Sequence, residues 1–182
     1  VKRTMDLVLS AIAIVISSPF MLLIAAAIKA YDKGPVFYMQ ERLTRDGEKF
    51  QIIKFRSMRM DSEQDGAQLA KKNDSRITPV GRILRRTHFD ELPQIFNIFK
   101  GEMSFVGPRP ERESIAREYE EVIPEFSFRL KVKAGLTGYA QIYGKYNTTP
   151  YDKLKLDLTY IEGYSVWLDI KLLLMTFKII FQ

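Results

Sequence analysis

Cysteine is absent from this chain of 182 residues. Disulfides and thiolate metal sites are thereby excluded, which fits a reducing compartment. Histidine occurs once, as His88, so no His-based metal motif exists. Neither the phosphate-cradling loop G-x-x-x-x-G-K-[ST] nor the G-x-G-x-x-G fingerprint is present, and any nucleotide must be held in another way. Internal repeats, low-complexity tracts and flexible linkers are also missing. Negative charge is in short supply: 22 acidic residues face 28 lysines and arginines, a net charge of +6. That balance points to an anionic partner, whether nucleic acid, a phosphorylated substrate or an acidic lipid surface. With 46% apolar residues the chain is not disordered, and its length suits one domain with a real core. It opens on Val1 rather than Met and reads as a segment of a longer polypeptide.

Long apolar runs are represented once. Met5 to Ile28 carries a single charge, Asp6, and as a helix it reaches roughly 35 Å, the thickness of a hydrocarbon core. A cleavable signal peptide is a poor match, because Lys29, Tyr31 and Asp32 stand where small residues are needed. Ser17, Ser18 and Pro19 interrupt the middle. Three arrangements compete: a kinked transmembrane helix, the buried core helix of a soluble protein, and a hinge of membrane entry and return. Pro19 frees a carbonyl near Val15, and the Ser17 and Ser18 hydroxyls can bond to such groups. Lys2 and Arg3 precede the run while Lys29 and Lys33 follow it, so the positive-inside rule gives no orientation. Cations on both flanks are what a hairpin with both ends on the cytoplasmic face shows.

Beyond the run, "GPVFYMQERLTRDGEKFQIIKFRSM" reads as a β-hairpin. Val36, Tyr38 and Gln40 alternate in one arm and Phe50, Ile52 and Lys54 in the other, around "RDGE". "MDSEQDGAQLAKKNDSR" is polar and loop-like, with one helical turn. "TPVGRILRRTHFDELPQIFNIFKGE" is mainly helical, with a new helix starting at Pro93 and ending near Gly101. A stiff loop, "SFVGPRPERE", runs into an acidic helix, and "KAGLTGYAQIYGKYN" is a turn-rich loop. The ending is helical but too charged to span a membrane. Trp167, Leu168, Leu172, Met175 and Ile179 follow helical spacing, with Asp169, Lys171 and Lys178 elsewhere on the wheel. Such a helix either lies in a membrane interface or packs on an ordinary core.

Three features converge on phosphate chemistry. Asp90 and Glu91 are adjacent carboxylates before a helix start, preceded by Arg82, Arg85 and Arg86. A dense positive field lowers carboxylate pKa and favours an anion beside them. Two hard acids also suit Mg²⁺, which keeps waters and takes substrate phosphates as further ligands. "GPRP", residues 107–110, holds the Arg109 guanidinium on a rigid loop, a group fit for bidentate phosphate binding. In "KFRSM", Lys54 and Arg56 project from one face of a strand. His88 has no visible partner and reads as structural.

These residues carry a resemblance. "RTMDLVLSAIAIVISSPFMLLIAAAIKAYDKGPVFYMQERLTRDGEKFQIIKFRSM", "ITPVGRILRRTHFDELPQIFNIFKGEMSFVGPRPE" and "KAGLTGYAQIYGKYN" resemble the bacterial sugar transferase family, the monotopic phosphoglycosyl transferases. The likeness covers nearly the whole chain in order. The ending looks most like the catalytic domains of larger members that initiate exopolysaccharide or capsule synthesis.

The resemblance implies an α+β fold, mainly helical, as one catalytic domain over 1–182. Its parts are a re-entrant membrane helix-break-helix (1–30, hinged at Ser17, Ser18 and Pro19), a core with a small β-hairpin (31–150) and interfacial amphipathic helices (151–182). It implies transfer of a sugar 1-phosphate from a UDP-sugar to polyprenyl (undecaprenyl) phosphate, with Mg²⁺, yielding a polyprenyl diphosphosugar and UMP. Asp90 is then the nucleophile, and Glu91 a Mg²⁺ ligand or a base for the incoming phosphate. Lys54, Arg85 and Arg109 match cationic positions around the diphosphate and nucleotide, and Asp157 an acid near the site. Arg56 and Lys145 are further substrate-binding candidates, although Lys145 stands where the family commonly has Arg and lacks the bidentate fork. Lys133-Ala134-Gly135 likewise replaces the usual K-P-G. Expected partners are the cytoplasmic leaflet of the bacterial inner membrane, a second copy and downstream glycosyltransferases, with no nucleic acid. The sugar is a hexose such as galactose or glucose by the look of the ending, and N-acetylated sugars stay open. The competing reading is a non-catalytic, basic, membrane-anchored scaffold. It explains the charge and the apolar run but gives no reason for paired acids amid arginines.

Overall fold

The apolar run dictates the first and longest element. The computed structural model describes residues 1–60, 62, 74–144 and 148–180. In it α1 (Lys2–Asp32) is one helix of 31 residues, about 46 Å along its path. The sequence led us to expect a break at Ser17, Ser18 and Pro19; instead the helix runs through Pro19. Side-chain hydroxyls account for the difference. Pro19 cannot donate to the Val15 carbonyl, and Ser18 Oγ donates to it instead at 3.0 Å, while Ser17 Oγ donates to Ala13 at 2.6 Å. Val8, Ile12, Val15, Ile16, Leu22 and Leu23 on this helix are exposed. Among the described residues it is the one helix long and apolar enough to cross a membrane, by length and composition.

The hairpin follows the alternation in the sequence. β1 (Phe37–Leu43) and β2 (Lys49–Phe55) pair antiparallel, with Tyr38 opposite Lys54 and Gln40 opposite Ile52. Their turn places Asp46 (φ 59) and Gly47 (φ 77) in left-handed backbone, which suits the D-G pair. Most of the polar stretch read as a loop lies outside the described residues. Next comes α2 (Pro79–Arg86), started by Thr78, whose side chain accepts from the Gly81 amide at 2.9 Å. Asp90 and Glu91 sit in a single 3₁₀ turn, Phe89–Glu91, behind His88 in left-handed conformation.

Pro93 and Gly101 bound α3 (Gln94–Lys100) as the sequence predicts, Gly101 closing it at φ 92. This short helix is the hub of the core. Ile95 packs with Met21, Ile24, Ile28, Phe55 and Leu84, while Ile98 packs with Phe50, Ile52, Met103 and Ala134. Asn97, fully buried, fixes the helix against β2. Its Oδ1 accepts from the Ile53 amide at 3.0 Å and its Nδ2 donates to the Gln51 carbonyl at 2.8 Å. One amide side chain thus completes backbone hydrogen bonds of the strand as a third strand would.

Two three-residue strands, β3 (Ser104–Val106) and β4 (Gly135–Thr137), form a parallel pair that sequence reading missed. Here backbone meets backbone: a Cβ on Gly135 would lie 2.1 Å from the Gly107 nitrogen. Between them run α4 (Glu113–Val122), the predicted acidic helix, and a 3₁₀ segment, Pro124–Lys131. A short α5 (Tyr139–Tyr143) occupies part of the stretch read as loop.

Two helices close the chain, α6 (Pro150–Glu162) and α7 (Val166–Ile180). Val106, Tyr160 and Leu172 form their core. On α7 the exposed apolar residues include Trp167, Ile170, Leu174, Phe177 and Ile179, whereas Leu172 points inward. Asp169, placed on the polar side of the wheel by sequence, is wholly buried. The reason is a partner from the other end of the chain. Lys2 Nζ donates to Asp169 Oδ2 at 2.5 Å and to the Val106 carbonyl at 3.1 Å, and the Tyr160 hydroxyl donates to Asp169 Oδ1 at 2.7 Å.

Replacing Asn97 by Ala leaves two partly buried backbone groups of β2 without their partner, at about 1 kcal/mol each. The variant should melt several degrees below wild type in detergent, while a control Gln51→Ala, whose side chain is exposed, should not. Equal melting of the two variants would remove Asn97 from its role as fastener.

Candidate active site

Three chain segments meet at one carboxylate. Glu91 Oε1 accepts from Lys54 Nζ at 2.7 Å and from Arg109 Nη2 at 2.7 Å. Lys54 arrives from β2, Glu91 from the 3₁₀ turn ahead of α3, and Arg109 from the G-P-R-P loop that follows β3. Glu91 is 14% exposed and Arg109 43%, so the guanidinium bridges a buried acid and the open surface. That face is available to an anion.

The two neighbouring acids have opposite electrostatic fates. Burial pushes the Glu91 carboxyl up, but the Arg109 guanidinium and the Lys54 ammonium outweigh it and hold Glu91 well below the usual carboxylate range. Asp90 is pushed up, by burial first and the Glu91 charge second, against a smaller pull from Lys54, Arg85 and His88. Asp90 has no salt bridge or hydrogen bond among the described residues. Burial also lowers the Lys54 ammonium, with Glu91 opposing. One carboxylate is thus spent on holding two cations. The other is unclamped and the more basic.

A second charged layer lies behind the G-P-R-P loop. Arg129, 4% exposed, donates from Nε to Asp157 Oδ2 at 2.7 Å and from Nη2 to the Arg109 carbonyl at 2.9 Å. Glu111 is bonded by Lys153 and lies 3.9 Å from both Arg42 and Arg129. Arg42 Nη1 donates to the Pro110 carbonyl at 3.4 Å, and its Nη2 to Gln40 Oε1 at 2.6 Å.

Of the residues singled out from sequence, the fold gathers Lys54, Asp90, Glu91 and Arg109, with Arg85 within electrostatic reach of Asp90. Asp157 is 1% exposed and pairs with Arg129. Arg56 lies just past the end of β2 with its guanidinium against Gly34, where an added Cβ would sit 2.4 Å from Nη1. Lys145 lies outside the described residues, and Ser17, Ser18 and Pro19 are within α1. Arg129, Arg42 and Lys153 escaped notice because none stands in a motif. Glu111 directly follows "GPRP", the one cue the sequence offered.

As a metal site the pair is sparse. Among the described residues no three acidic or histidine side chains cluster for an ion. The donor set of Asp90 and the second Glu91 oxygen nevertheless fits Mg²⁺, which takes few protein oxygens and completes its shell with water and phosphate.

A family model described as bacterial sugar transferase matches residues 1–182. The chain belongs to the bacterial sugar transferase family. Several relatives cover almost all of it. A UDP-N-acetylgalactosamine-undecaprenyl-phosphate N-acetylgalactosaminephosphotransferase of Aeromonas hydrophila is 41% identical over 99% of this chain and 43% of its own length. UDP-glucose:undecaprenyl-phosphate glucose-1-phosphate transferases of Klebsiella pneumoniae and Xanthomonas campestris pv. campestris are each 43% identical over 96% of the chain, covering 39% and 37% of theirs. This sugar transferase chain therefore spans about two-fifths of the length of these relatives.

The two acids should move stability in opposite directions. Glu91, with its lowered folded pKa, contributes stability above the ordinary carboxylate range and loses it as pH falls towards the depressed value. Asp90, with a raised pKa, costs stability when ionised at neutral pH. At pH 7.5 Glu91→Gln should melt lower, by the equivalent of about 2 kcal/mol, and Asp90→Asn higher than wild type. Scanning fluorimetry checks both signs, and a shift of the same sign for the two variants contradicts the assignment.

Proposed function

We propose that the chain transfers a sugar 1-phosphate from a UDP-sugar to polyprenyl phosphate through a covalent intermediate on Asp90. The observation that carries the mechanism is the asymmetry of the acid pair. Glu91 is clamped by Lys54 and Arg109 at 2.7 Å each, which makes it a poor base and nucleophile. Asp90 keeps its lone pairs and its basicity. An Asp90 oxygen attacks the β-phosphorus of the UDP-sugar, the bond from that phosphorus to the bridging oxygen breaks, and UMP departs. A polyprenyl phosphate oxygen then attacks the same phosphorus, releasing the Asp90 carboxylate and forming the diphosphate. Splitting one displacement into two is the usual gain from a carboxylate nucleophile. Arg109, fixed between Pro108 and Pro110, presents its fork to the phosphates, and Lys54 and Arg85 add positive field. Bound Mg²⁺, held by Asp90 and Glu91, would offset charge on the diphosphate. The names of the relatives support both substrates, and since these name two different sugars, the sugar is best decided by a UDP-sugar panel.

The membrane part of the proposal is a re-entrant α1 that bends rather than breaks, seating the domain on the cytoplasmic face of the inner membrane. Support comes from the attachments of its two ends. Arg3 donates to the Ile98 and Phe99 carbonyls at 2.7 Å each, at the end of α3. Met21, Ile24 and Ile28 share a core with Ile95 of that same helix. Arg3 to Ile24 spans about 32 Å in a straight helix, while α3 is about 10 Å long. Pro19, whose missing donor leaves the Val15 carbonyl to the Ser18 hydroxyl, is the natural point of bending. Next to it, Phe20 packs edge-on against Phe89, with ring centroids 4.9 Å apart, one residue from Asp90. The exposed Trp167, Ile170, Leu174 and Phe177, with Lys171 and Lys178, then suit α7 to the lipid interface.

In detergent with polyprenyl phosphate and Mg²⁺, the chain should release UMP from at least one UDP-hexose or UDP-N-acetylhexosamine. Asp90→Asn should abolish both product and any radiolabelled phosphosugar adduct, and EDTA should suppress release. Turnover near wild type in Asp90→Asn rules out the nucleophile. For the topology, single cysteines at Lys2 and Lys33 should be labelled from the same side of sealed vesicles; labelling from opposite sides refutes re-entry.

A further inference from the structure

The catalytic scheme above uses Arg109 but leaves unexplained a buried guanidinium directly behind it. We infer that Arg129, held by Asp157, is the positioning residue that sets where the Arg109 guanidinium stands, and that Asp157 acts through Arg129 rather than on substrate. The inference rests on the transferase reading of the site.

Exposure argues first. Side-chain exposure is 5% for Arg129 and 1% for Asp157, so neither meets a phosphate in solvent. Asp157, being anionic, would also repel a diphosphate. A buried charge pair is costly unless geometry and further hydrogen bonds compensate it. Arg129 meets that condition in three directions. Nε donates to Asp157 at 2.7 Å, Nη2 donates to the carbonyl of Arg109 at 2.9 Å, and Nη1 lies 3.9 Å from Glu111. The guanidinium also lies over the Phe126 ring, 4.7 Å from its centroid. A planar fork serves all these partners at once, whereas a lysine ammonium offers a point charge.

The second argument is mechanical. Pro108 and Pro110 fix φ on both sides of Arg109, leaving motion of the whole tip as its main freedom. Arg129 bonds the carbonyl of Arg109 itself, and Arg42 bonds the next one, at Pro110, at 3.4 Å. Lys153 of α6 secures Glu111 one residue on. Two successive carbonyls are pinned, so the guanidinium starts from a defined root. A misplacement near 1 Å at a reacting centre costs on the order of a hundredfold in rate.

The test is a cycle on the full chain in detergent, read by UDP titration calorimetry and by UMP release. Arg129→Gln should weaken UDP binding or lower kcat/KM about ten- to a hundredfold, and Arg129→Lys should recover part of the loss. Introduced into Arg109→Gln, the same change should cost less than about twofold, because the residue it positions is gone. Losses that multiply in the double variant, or a folded Arg129→Gln with wild-type binding and turnover, overturn the inference. If Arg129→Gln does not fold, Asp157→Asn takes its place in the same cycle, and the same outcomes decide. A wild-type chain that neither binds UDP nor releases UMP sinks the transferase reading instead. Positioning is then judged on the Arg109 guanidinium by ¹⁵N NMR: its signals must shift or broaden in the variant, and an unchanged Arg109 signal overturns the inference.

Discussion

Everything at the candidate site hangs on one carboxylate shared by two cations. Glu91 joins β2, the turn before α3 and the G-P-R-P loop, three pieces far apart in sequence, through bonds of 2.7 Å to Lys54 and Arg109. Without it two positive side chains would face each other across a half-buried space. With it their charge is partly neutralised, yet enough remains to attract an anion. The same arrangement separates the adjacent acids: the cations absorb Glu91, and Asp90 is left unclamped and the more basic of the two. Division of labour between neighbouring carboxylates by environment alone is a general route to acid and nucleophile roles.

The surrounding fold holds these three pieces at their working separation. Asn97 fastens α3 to β2, which sets Glu91 against Lys54. The close backbone contact of Gly107 with Gly135 roots the G-P-R-P loop on β4. Behind it, Arg129 and Arg42 grip the loop by its carbonyls. Rigid support of this kind is what precise placement of charged groups requires.

Local signals were legible in the sequence. The D-G turn placed the hairpin, Pro93 and Gly101 bounded α3, and the acid pair with G-P-R-P marked the site. What escaped was set by distant partners. The β3–β4 pair has three residues a side and glycine at one root, too little for any period. Asp169 read as a solvated charge because its partner, Lys2, comes from the opposite end of the chain. Arg129 stands in no motif, and its partners, Asp157 and the Arg109 carbonyl, lie 28 and 20 positions away. At Pro19 the breaker signal was sound, but the Ser18 hydroxyl replaced the missing bond and kept the helix whole.

The Lys2–Asp169 pair carries a consequence in time. The two residues are 167 positions apart, and synthesis at 5–20 residues per second takes roughly 10–30 s to connect them. Throughout that interval α1 has emerged while the acid that seats its first turn does not yet exist. Tyr160 and the carbonyl of Val106, the other members of the network, also arrive long after α1. Folding around the beginning of α1 is therefore completed from the C-terminal side, after most of the domain has been made. Helix α7 acts as a latch, and a ribosome that stalls before it leaves behind a chain in which the first turn of α1 has not closed onto its core.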